Sequence, residues 1–534
     1  MKRVIVVLFV TSIFLSSCTG NTSLWGEYQT PTPIGGSPVL ALQFAEEIPT
    51  TPTPDSAPVD PLFTSTFTAT PTSQFFITQQ ATSTPTEFLT PTISGATILY
   101  YTQNGDWFPA VANRFGVSMS EITSPKFLSQ NGFLDTGTLL IIPDRRDPSA
   151  KYTPALQLMP DGEVVYSPGA VDFDIAGYIA AAGGYISTYR EYLGSTGWMT
   201  GAAEIERIAY ENSINPRLLL AILDYEARWV RGTPVDQFRK DYPLGHENFR
   251  NKGMFLQLAW AINQLSTGYY GWRAGTLSEI TFRDGVTYRL DPTLNAGTVA
   301  LMYFFAQQHS ENEWLRIMDQ TSGFYSFYVN MFGDPWTVGE GTGSIFPPNL
   351  IQPHMVLPFE PGTDWAFTGG PHSAWGSDGP LAALDFAPST DKTGCTPSEK
   401  WILSAAPGLV VRSDKGVVVI DLDGDGHEQT GWNIMYLHVA NNGRVPLGEW
   451  VEQNDRIGHA SCEGGISTGT HVHTARKFNG EWITADGPVP WVLSGWTVVA
   501  GDKPYLGKLV QGNQVVTADV YGQAKSLIVR DDDD

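Results

Sequence analysis

Apolar and polar positions recur with different periods along this chain, and the periods predict its elements. Between residues 98 and 143, short apolar stretches bounded by turn residues predict a strand, a helix, a second short helix and a closing strand. Over residues 172–333, apolar residues recur every three to four positions, and Asn215 followed by Pro216 marks the start of one helix. In the C-terminal third, β-branched stretches bounded by glycine, such as residues 417–421, predict a mainly antiparallel β-domain.

The first 96 residues carry neither period. Two basic residues precede an apolar stretch, residues 4–15, that is too short to span a bilayer comfortably, so we interpret residues 1–17 as a secretion signal. The four residues that end at Cys18 resemble a lipobox. This implies a lipid-modified Cys18 and a lipoprotein anchored to the membrane outside the cytoplasm; cleavage without lipid is the alternative. Residues 18–96 are rich in Thr, Pro and Ser and predict a disordered, extended tether.

Length, charge and cysteine content narrow the class of protein. A chain of 534 residues is too long for one core, and a net charge of −23 argues against nucleic acid or an anionic membrane surface as an electrostatic partner. Once Cys18 is assigned to the lipid, only Cys395 and Cys462 remain. In an oxidising compartment two such cysteines are expected to form a disulfide. Metal ligation by cysteine is the alternative.

Histidines concentrate in the C-terminal third, where seven of the nine lie after residue 350. His471 and His473 alternate along a predicted strand, so both face the same side and suit a metal ion. His372, Asp385 and His438 lie upstream. A catalytic zinc takes three protein ligands and leaves a fourth position for water. His372, Asp385 and one histidine of the pair complete that set, and the other histidine and His438 remain for proton transfer.

The ordered set of His372, Asp385, a Tyr-x-His ending at His438 and a His-x-His ending at His473 resembles the lysostaphin-type (LytM-like) zinc endopeptidases, which cut peptidoglycan peptides. Among these it is most similar to the β-lytic branch, in which a long loop separates the first His from the Asp. The resemblance implies that His372, Asp385 and His473 bind Zn²⁺ and that His438 and His471 are catalytic.

This peptidase domain is expected over residues 350–500, and residues 501–534 are interpreted as further strands and an acidic tail. Whether those strands pack on the domain or form a small appendage stays open.

Residues 97–145 resemble a LysM module, with β-α-α-β order and with Gly105 and Asp106 before the first helix. The resemblance implies a small α+β fold that binds glycans containing N-acetylglucosamine. Trp107 departs from it, because Thr or Ser is usual at that position. A module that has become only a spacer is the alternative.

Residues 170–335 distantly resemble the lysozyme-like fold of lytic transglycosylases. The helix that starts after Asn215 would carry a glycan-cleaving acid, Glu226, whose pKa would be raised by burial. Ala227 stands where Ser usually follows. The alternative is a scaffold or glycan-holding role without catalysis.

Asp421, Asp423 and Asp425 alternate along one turn with Gly424, as at the start of a calcium loop. Trp432 stands where a Glu would close an EF-hand. The two interpretations are a partial Ca²⁺ loop at a hairpin tip and a plain acidic turn.

Together these patterns predict a multidomain, lipid-anchored extracytoplasmic zinc endopeptidase acting on the peptide stems of peptidoglycan. A LysM module would bind the glycan, and no nucleic acid is involved. Two rivals remain. One is an inactive cell-wall-binding or activator lipoprotein, against which the five filled positions argue. The other is a bifunctional hydrolase that also cleaves glycan through Glu226.

Overall fold

The computed structural model describes residues 95–340, 344–347, 349–377, 379–389 and 394–531. The predicted signal, Cys18 and all but the end of the predicted tether lie outside these residues. Within the described part of the chain, no helix combines the length and apolar character needed to cross a membrane.

Helices occupy the middle of the chain and one position near its start. They are α1 (Phe108–Phe115), α2 (Ile175–Ala182), α3 (Gly201–Asn212), α4 (Pro216–Ala227), α5 (Gln237–Asp241), α6 (Met254–Ala274), α7 (Ala296–Ala306), α8 (Glu311–Ile317), α9 (Phe324–Phe332) and α10 (Pro335–Glu340).

Strands form one two-stranded pair near the start, two small hairpins in the middle and the C-terminal β-domain. They are β1 (Thr97–Tyr101), β2 (Leu139–Pro143), β3 (Arg190–Leu193), β4 (Gly197–Thr200), β5 (Glu279–Thr281), β6 (Thr287–Arg289), β7 (Asp364–Ser373), β8 (Leu381–Pro388), β9 (Trp401–Leu403), β10 (Gly408–Asp414), β11 (Val417–Asp421), β12 (Trp432–Leu437), β13 (Trp450–Val451), β14 (Arg456–His459), β15 (Val472–Phe478), β16 (Glu481–Trp482), β17 (Val492–Leu493), β18 (Trp496–Ala500), β19 (Gly507–Gln511), β20 (Gln514–Thr517) and β21 (Leu527–Val529).

The N-terminal module pairs β1 with β2 antiparallel and packs α1 against them through Phe108 and Phe115. The predicted second helix is wrong: a single 3₁₀ turn, Met119–Glu121, stands in its place. Ile122 leaves that turn in extended conformation, and Thr123 exchanges backbone hydrogen bonds with Ile141 of β2 at 3.1 and 2.8 Å. The backbone groups that would extend the helix are therefore bonded to the sheet.

The helical region matches its predicted periodicity. Asn215 caps α4, because its side chain accepts from the Arg217 N–H at 2.9 Å, and Pro216 takes the first helical position. Helix α6 is 21 residues long and packs along α7, and both helices bury apolar residues around most of their circumference.

A pair of carboxyl groups, one buried and one half-buried, lies between β3, α3 and the start of α6. Glu191 on β3 accepts from the Tyr189 hydroxyl at 3.1 Å and from the Phe255 N–H at 3.2 Å. Glu204 on α3 is fully buried, and within the described part of the chain no donor reaches either of its oxygens. Burial and the neighbouring Glu191 raise the pKa of Glu204 to about 9, so its protonated carboxyl donates to Glu191 at neutral pH.

The C-terminal domain is built on one antiparallel sheet with the strand order β13-β10-β11-β12-β15-β8-β7-β21, and β16 extends from β15. A second sheet has the order β17-β18-β19-β20. The last strand, β21, pairs with β7 at the edge of the main sheet. Of the two interpretations of the C-terminal strands, packing on the domain is the one observed.

A buried junction joins the N-terminal module, the helical region and the β-domain. Arg273 on α6 forms ion pairs with Glu481 of β16 and with Asp161, both at 2.9 Å, and also donates to the carbonyl oxygen of Asn104. The Tyr269 hydroxyl donates to Glu481 at 2.7 Å. One guanidinium therefore connects all three parts.

Candidate metal centre

Three neighbouring strands of the main sheet carry the predicted metal ligands, and His438 and His471 lie just outside β12 and β15. His473 on β15 lies directly opposite Asp385 on β8, and Asp385 lies opposite Gly369 on β7. His372 follows on β7. A Cβ at position 369 would collide with the Asp385 carboxylate, so glycine at this position leaves room for that side chain.

Three potential metal-ligand atoms from these strands form a small triangle. The Nε2 atom of His372 lies 3.0 Å from Nδ1 of His473 and 3.3 Å from Oδ1 of Asp385. The third edge, from His473 Nδ1 to Asp385 Oδ1, is 3.2 Å. All three residues are buried.

Backbone carbonyls determine which nitrogen of each ring faces the triangle. His372 Nδ1 lies 2.8 Å from the Gly370 oxygen, and His473 Nε2 lies 3.0 Å from the Ala374 oxygen. A carbonyl only accepts, so in the neutral rings these nitrogens carry the protons. In the neutral rings, the nitrogens that face Asp385 therefore carry lone pairs. Asp385 raises the pKa of His372, so the three atoms share a positive charge, either a proton on His372 or a metal ion.

His438 and His471 lie beside the triangle and have the same tautomer. Their Nδ1 atoms are each 2.8 Å from a backbone oxygen, that of Glu463 and that of Gly469, so in the neutral rings the lone pair is on Nε2. The two ring centroids are 4.5 Å apart, and His471 Nε2 lies 3.6 Å from Asp385 Oδ1. The backbone φ of His438 is +68°. Residues other than glycine rarely adopt this left-handed conformation, and those that do are found disproportionately at functional sites.

The protonation states follow from burial and from one carboxylate. Burial, together with the neighbouring His471 and His473, lowers the pKa of His438 to about 3, so His438 is neutral at physiological pH. Burial also lowers the pKa of His473. Burial opposes ionisation of Asp385, but His372 and His471 together hold its pKa well below the usual value.

Sequence analysis missed one residue of this centre. The Tyr505 ring stacks on His372 with centroids 4.2 Å apart and planes 19° from parallel. Its backbone N–H donates to the Pro371 oxygen at 3.1 Å, and its backbone oxygen accepts from the Gly370 N–H at 3.0 Å. No motif surrounds Tyr505 in the sequence, and only its position between two apolar strands marks a turn.

Cys395 and Cys462 form a disulfide in the structure. Beside it, the Thr470 hydroxyl bonds the backbone oxygens of Gly394 and Thr396 at 3.1 and 2.6 Å, next to His471. The bridge therefore ties the chain after β8 to the segment that leads into β15.

The other predicted site residues lie outside this centre. Glu226 is on α4 in the helical region, where its oxygens lie 3.0 Å from His309 Nε2 and 3.5 Å from an Arg239 nitrogen. This is the arrangement of a buried ion pair. The carboxylates of Asp421, Asp423 and Asp425 come within 4.8 Å of one another in the loop between β11 and β12.

Two imidazoles and a carboxylate that meet at one point of an antiparallel sheet form a group that can hold a metal ion. Comparisons with known proteins indicate a metallopeptidase. A family model described as "LasA, N-terminal domain" matches residues 157–348, which is the helical region. Protease LasA of Pseudomonas aeruginosa is 24% identical over 345 residues, which are 61% of this chain and 75% of LasA.

The β-domain has its own relatives. The β-lytic metalloendopeptidase of Lysobacter enzymogenes is 30% identical over 168 residues, which are 30% of this chain and 84% of that protein. Among solved structures, the M23 metalloprotease pseudoalterin is 24% identical, with a TM-score of 0.27 and coverage of 31% of this chain and 96% of pseudoalterin. The chain belongs to the family of the β-lytic metalloendopeptidases, which are M23-type metallopeptidases. The predicted resemblance to the β-lytic branch is confirmed at this level. The helical region matches the LasA N-terminal domain, and the predicted lysozyme-like fold found no support.

Proposed function

We propose that the protein is a zinc endopeptidase that hydrolyses peptide bonds in the stems of bacterial peptidoglycan. The observation that carries the proposal is the meeting of two imidazole nitrogens and one carboxylate oxygen at 3.0–3.3 Å, with the other nitrogen of each ring on a backbone carbonyl. Such an arrangement is stabilised by a positive charge among the three atoms, and a bound metal ion supplies one.

The donor set fits zinc. Zinc binds His nitrogen and carboxylate oxygen at about 2.0–2.2 Å in tetrahedral geometry, which places neighbouring ligand atoms about 3.3–3.5 Å apart. The observed edges are close to that spacing. The two outward ring nitrogens are held by backbone carbonyls, as is usual for histidine ligands of a metal. His372, Asp385 and His473 are therefore the proposed ligands.

When bound, zinc supplies a Lewis acid and a water of lowered pKa. The Nε2 of the neutral His438 can accept a proton, and the Nε2 of His471 lies beside the same three ligand atoms. One Nε2 would accept the proton of the attacking water and pass that proton to the leaving amine. The other would donate to the oxyanion only in its protonated, imidazolium form. The two backbone carbonyls fix both rings, so neither has to reorient during the reaction. The Tyr505 ring restricts the rotation of His372.

The remaining parts of the chain give the proposal its setting. Residues 97–145 would be a LysM module that binds the glycan, residues 170–335 a helical domain, residues 350–500 the peptidase domain, and residues 501–534 strands added to it with an acidic tail. A lipid on Cys18 and a tether through residue 96 would hold the enzyme at the membrane. The relatives named as peptidases and the membership of a metallopeptidase family support hydrolysis.

The test compares the wild type with His473→Ala and with a matched control, His354→Ala, which removes an exposed histidine of the same domain. We expect one zinc per chain and release of peptide fragments from purified peptidoglycan for the wild type and the control. His473→Ala should lose both. Fragments are identified by mass spectrometry.

Zinc binding without any peptide cleavage would instead favour the binding or activator alternative. No observation favours glycan cleavage by Glu226. We therefore expect Glu226→Gln to release peptide fragments at the wild-type rate, with no anhydro-sugar or new reducing ends from either protein.

A further inference from the structure

Among the described residues, one oxygen cluster is not used by the proposed hydrolase. It lies in the loop between β11 and β12, where Asp421, Asp423 and Asp425 approach within 4.8 Å. Asp421 ends β11 and is fully buried, whereas the other two are exposed. Within the part of the chain that the structure describes, none of the three carboxylates forms an ion pair. Three carboxyl groups thus meet without a protein cation among the described residues, and burial together with the neighbouring Asp423 raises the pKa of Asp421 to about 7.

A second observation distinguishes this loop from an ordinary acidic turn. Asn433 on β12 lies directly opposite Asp421, so the two side chains share a face of the sheet. Asn433 is fully buried. Its Nδ2 donates to the Thr430 oxygen at 2.7 Å, which turns the amide toward the loop and identifies the other atom as oxygen. That Oδ1 has no donor among the described residues.

The loop backbone leaves space for these groups. Gly431 has a φ of +53°, and a Cβ at that position would collide with the Asp423 carboxylate. The Thr430 hydroxyl donates to one oxygen of Asp425 at 2.8 Å, which orients the carboxylate and leaves its other oxygen available. Both features hold acidic side chains close together against their mutual repulsion.

Nearby cations are committed elsewhere. Lys477 on β15 lies directly opposite Asn433, and its Nζ donates to Glu428 at 2.9 Å. Arg412 forms an ion pair with the same Glu428 at 2.8 Å. The charge of the loop is therefore not balanced from inside the domain.

We propose that Asp421, Asp423, Asp425 and the Oδ1 of Asn433 bind a calcium ion. Calcium takes six to eight hard oxygen ligands in flexible geometry, and water completes such a set on an exposed loop. Strand β12 ends at Leu437, next to His438, so the ion stabilises the hairpin that carries one wall of the metal centre. The site does not depend on hydrolase activity.

The experiment uses terbium(III), a luminescent substitute for calcium, titrated into the full-length protein in calcium-free buffer. The Trp450 ring lies 2.8 Å from the position of a Cβ on Gly424, so a tryptophan close to the loop can sensitise bound terbium. We expect saturable luminescence that calcium displaces and that equal magnesium displaces poorly. Isothermal titration with calcium alone should give one site per chain.

The Asp423→Asn/Asp425→Asn variant changes exposed residues and should weaken calcium binding at least tenfold. Glu449→Gln, an exposed carboxylate of the same domain, should leave it unchanged. Trp450→Phe should dim the luminescence without changing the calcium affinity. Equal calcium affinity in the double variant and the wild type, or no calcium binding by the wild type at up to 10 mM (a value chosen as about ten times the weakest extracellular sites), would overturn the proposal.

Discussion

Glu204 provides a test of how burial controls protonation in this fold. Its pKa rises from 4.5 to about 9, because burial removes water and Glu191 is the neighbouring anion. The folded chain therefore binds one more proton than the unfolded chain between those two pH values. By linkage, the free energy of unfolding falls as pH rises through that window, by at most about 1.4 kcal/mol per pH unit. Between pH 5 and pH 8 the loss is up to about 4 kcal/mol.

Glu204→Gln removes this pH dependence. The amide keeps a donor for Glu191 and is neutral at every pH, so the variant should resemble the wild type near pH 5 and exceed it in stability near pH 8. The measurement is hydrogen exchange of the first turn of α6, where Glu191 accepts the Phe255 N–H, together with thermal midpoints from pH 5 to 8. The backbone amides of this turn should exchange more slowly in the variant than in the wild type, mainly near pH 8.

Glu206→Gln is the control, since Glu206 lies on the same helix but is exposed. It should follow the wild-type pH profile. Parallel profiles for the wild type and Glu204→Gln would refute the reasoning, because Glu204 would then titrate as it does in the unfolded chain. A variant destabilised equally at all pH values would show that packing, and not the proton, controls this site.

Three further changes test the metal centre and its surroundings. Replacing Cys395 and Cys462 by Ser opens a loop with a sequence separation of 67 residues and should cost about 4 kcal/mol by loop entropy, measured by urea unfolding with and without reductant. Tyr505→Ala should weaken zinc affinity about tenfold because His372 loses its stacking partner, whereas Tyr505→Phe should bind zinc as the wild type does in a chelator competition. Gly369→Ala should displace the Asp385 carboxylate and lower the zinc content of the purified protein. A zinc content equal to that of the wild type would show that the added methyl group does not collide with Asp385.

The sequence was most informative where chemistry and spacing coincide. His372, Asp385 and His473 are far apart in the chain, but each is a residue type that metal sites require, and the structure brings them together on neighbouring strands. The N-cap at Asn215 was predictable for a similar reason, since a side-chain acceptor followed by proline has a purely local cause.

The features that sequence analysis missed depend on distant contacts. The predicted second helix of the N-terminal module does not form, because Thr123 pairs with a strand that follows later in the chain. Tyr505 reaches His372 from a turn between β18 and β19, and no local pattern marks it. Glu204 sits in an amphipathic pattern that suggests an exposed charge, and only the position of Glu191 shows that it is buried beside another acid.

The junction at Arg273 limits how the β-domain can be produced separately or exchanged for that of a relative. Glu481 is almost fully enclosed, and its two oxygens are satisfied by groups from α6, a helix that lies some two hundred positions earlier. A β-domain produced by itself would present that carboxylate, together with the neighbouring Trp482, to solvent. Substitutions at 273 and 481 should therefore be tolerated as matched pairs. A β-domain exchanged from a relative should fold against α6 only when its strand at the position of β16 also supplies an acid.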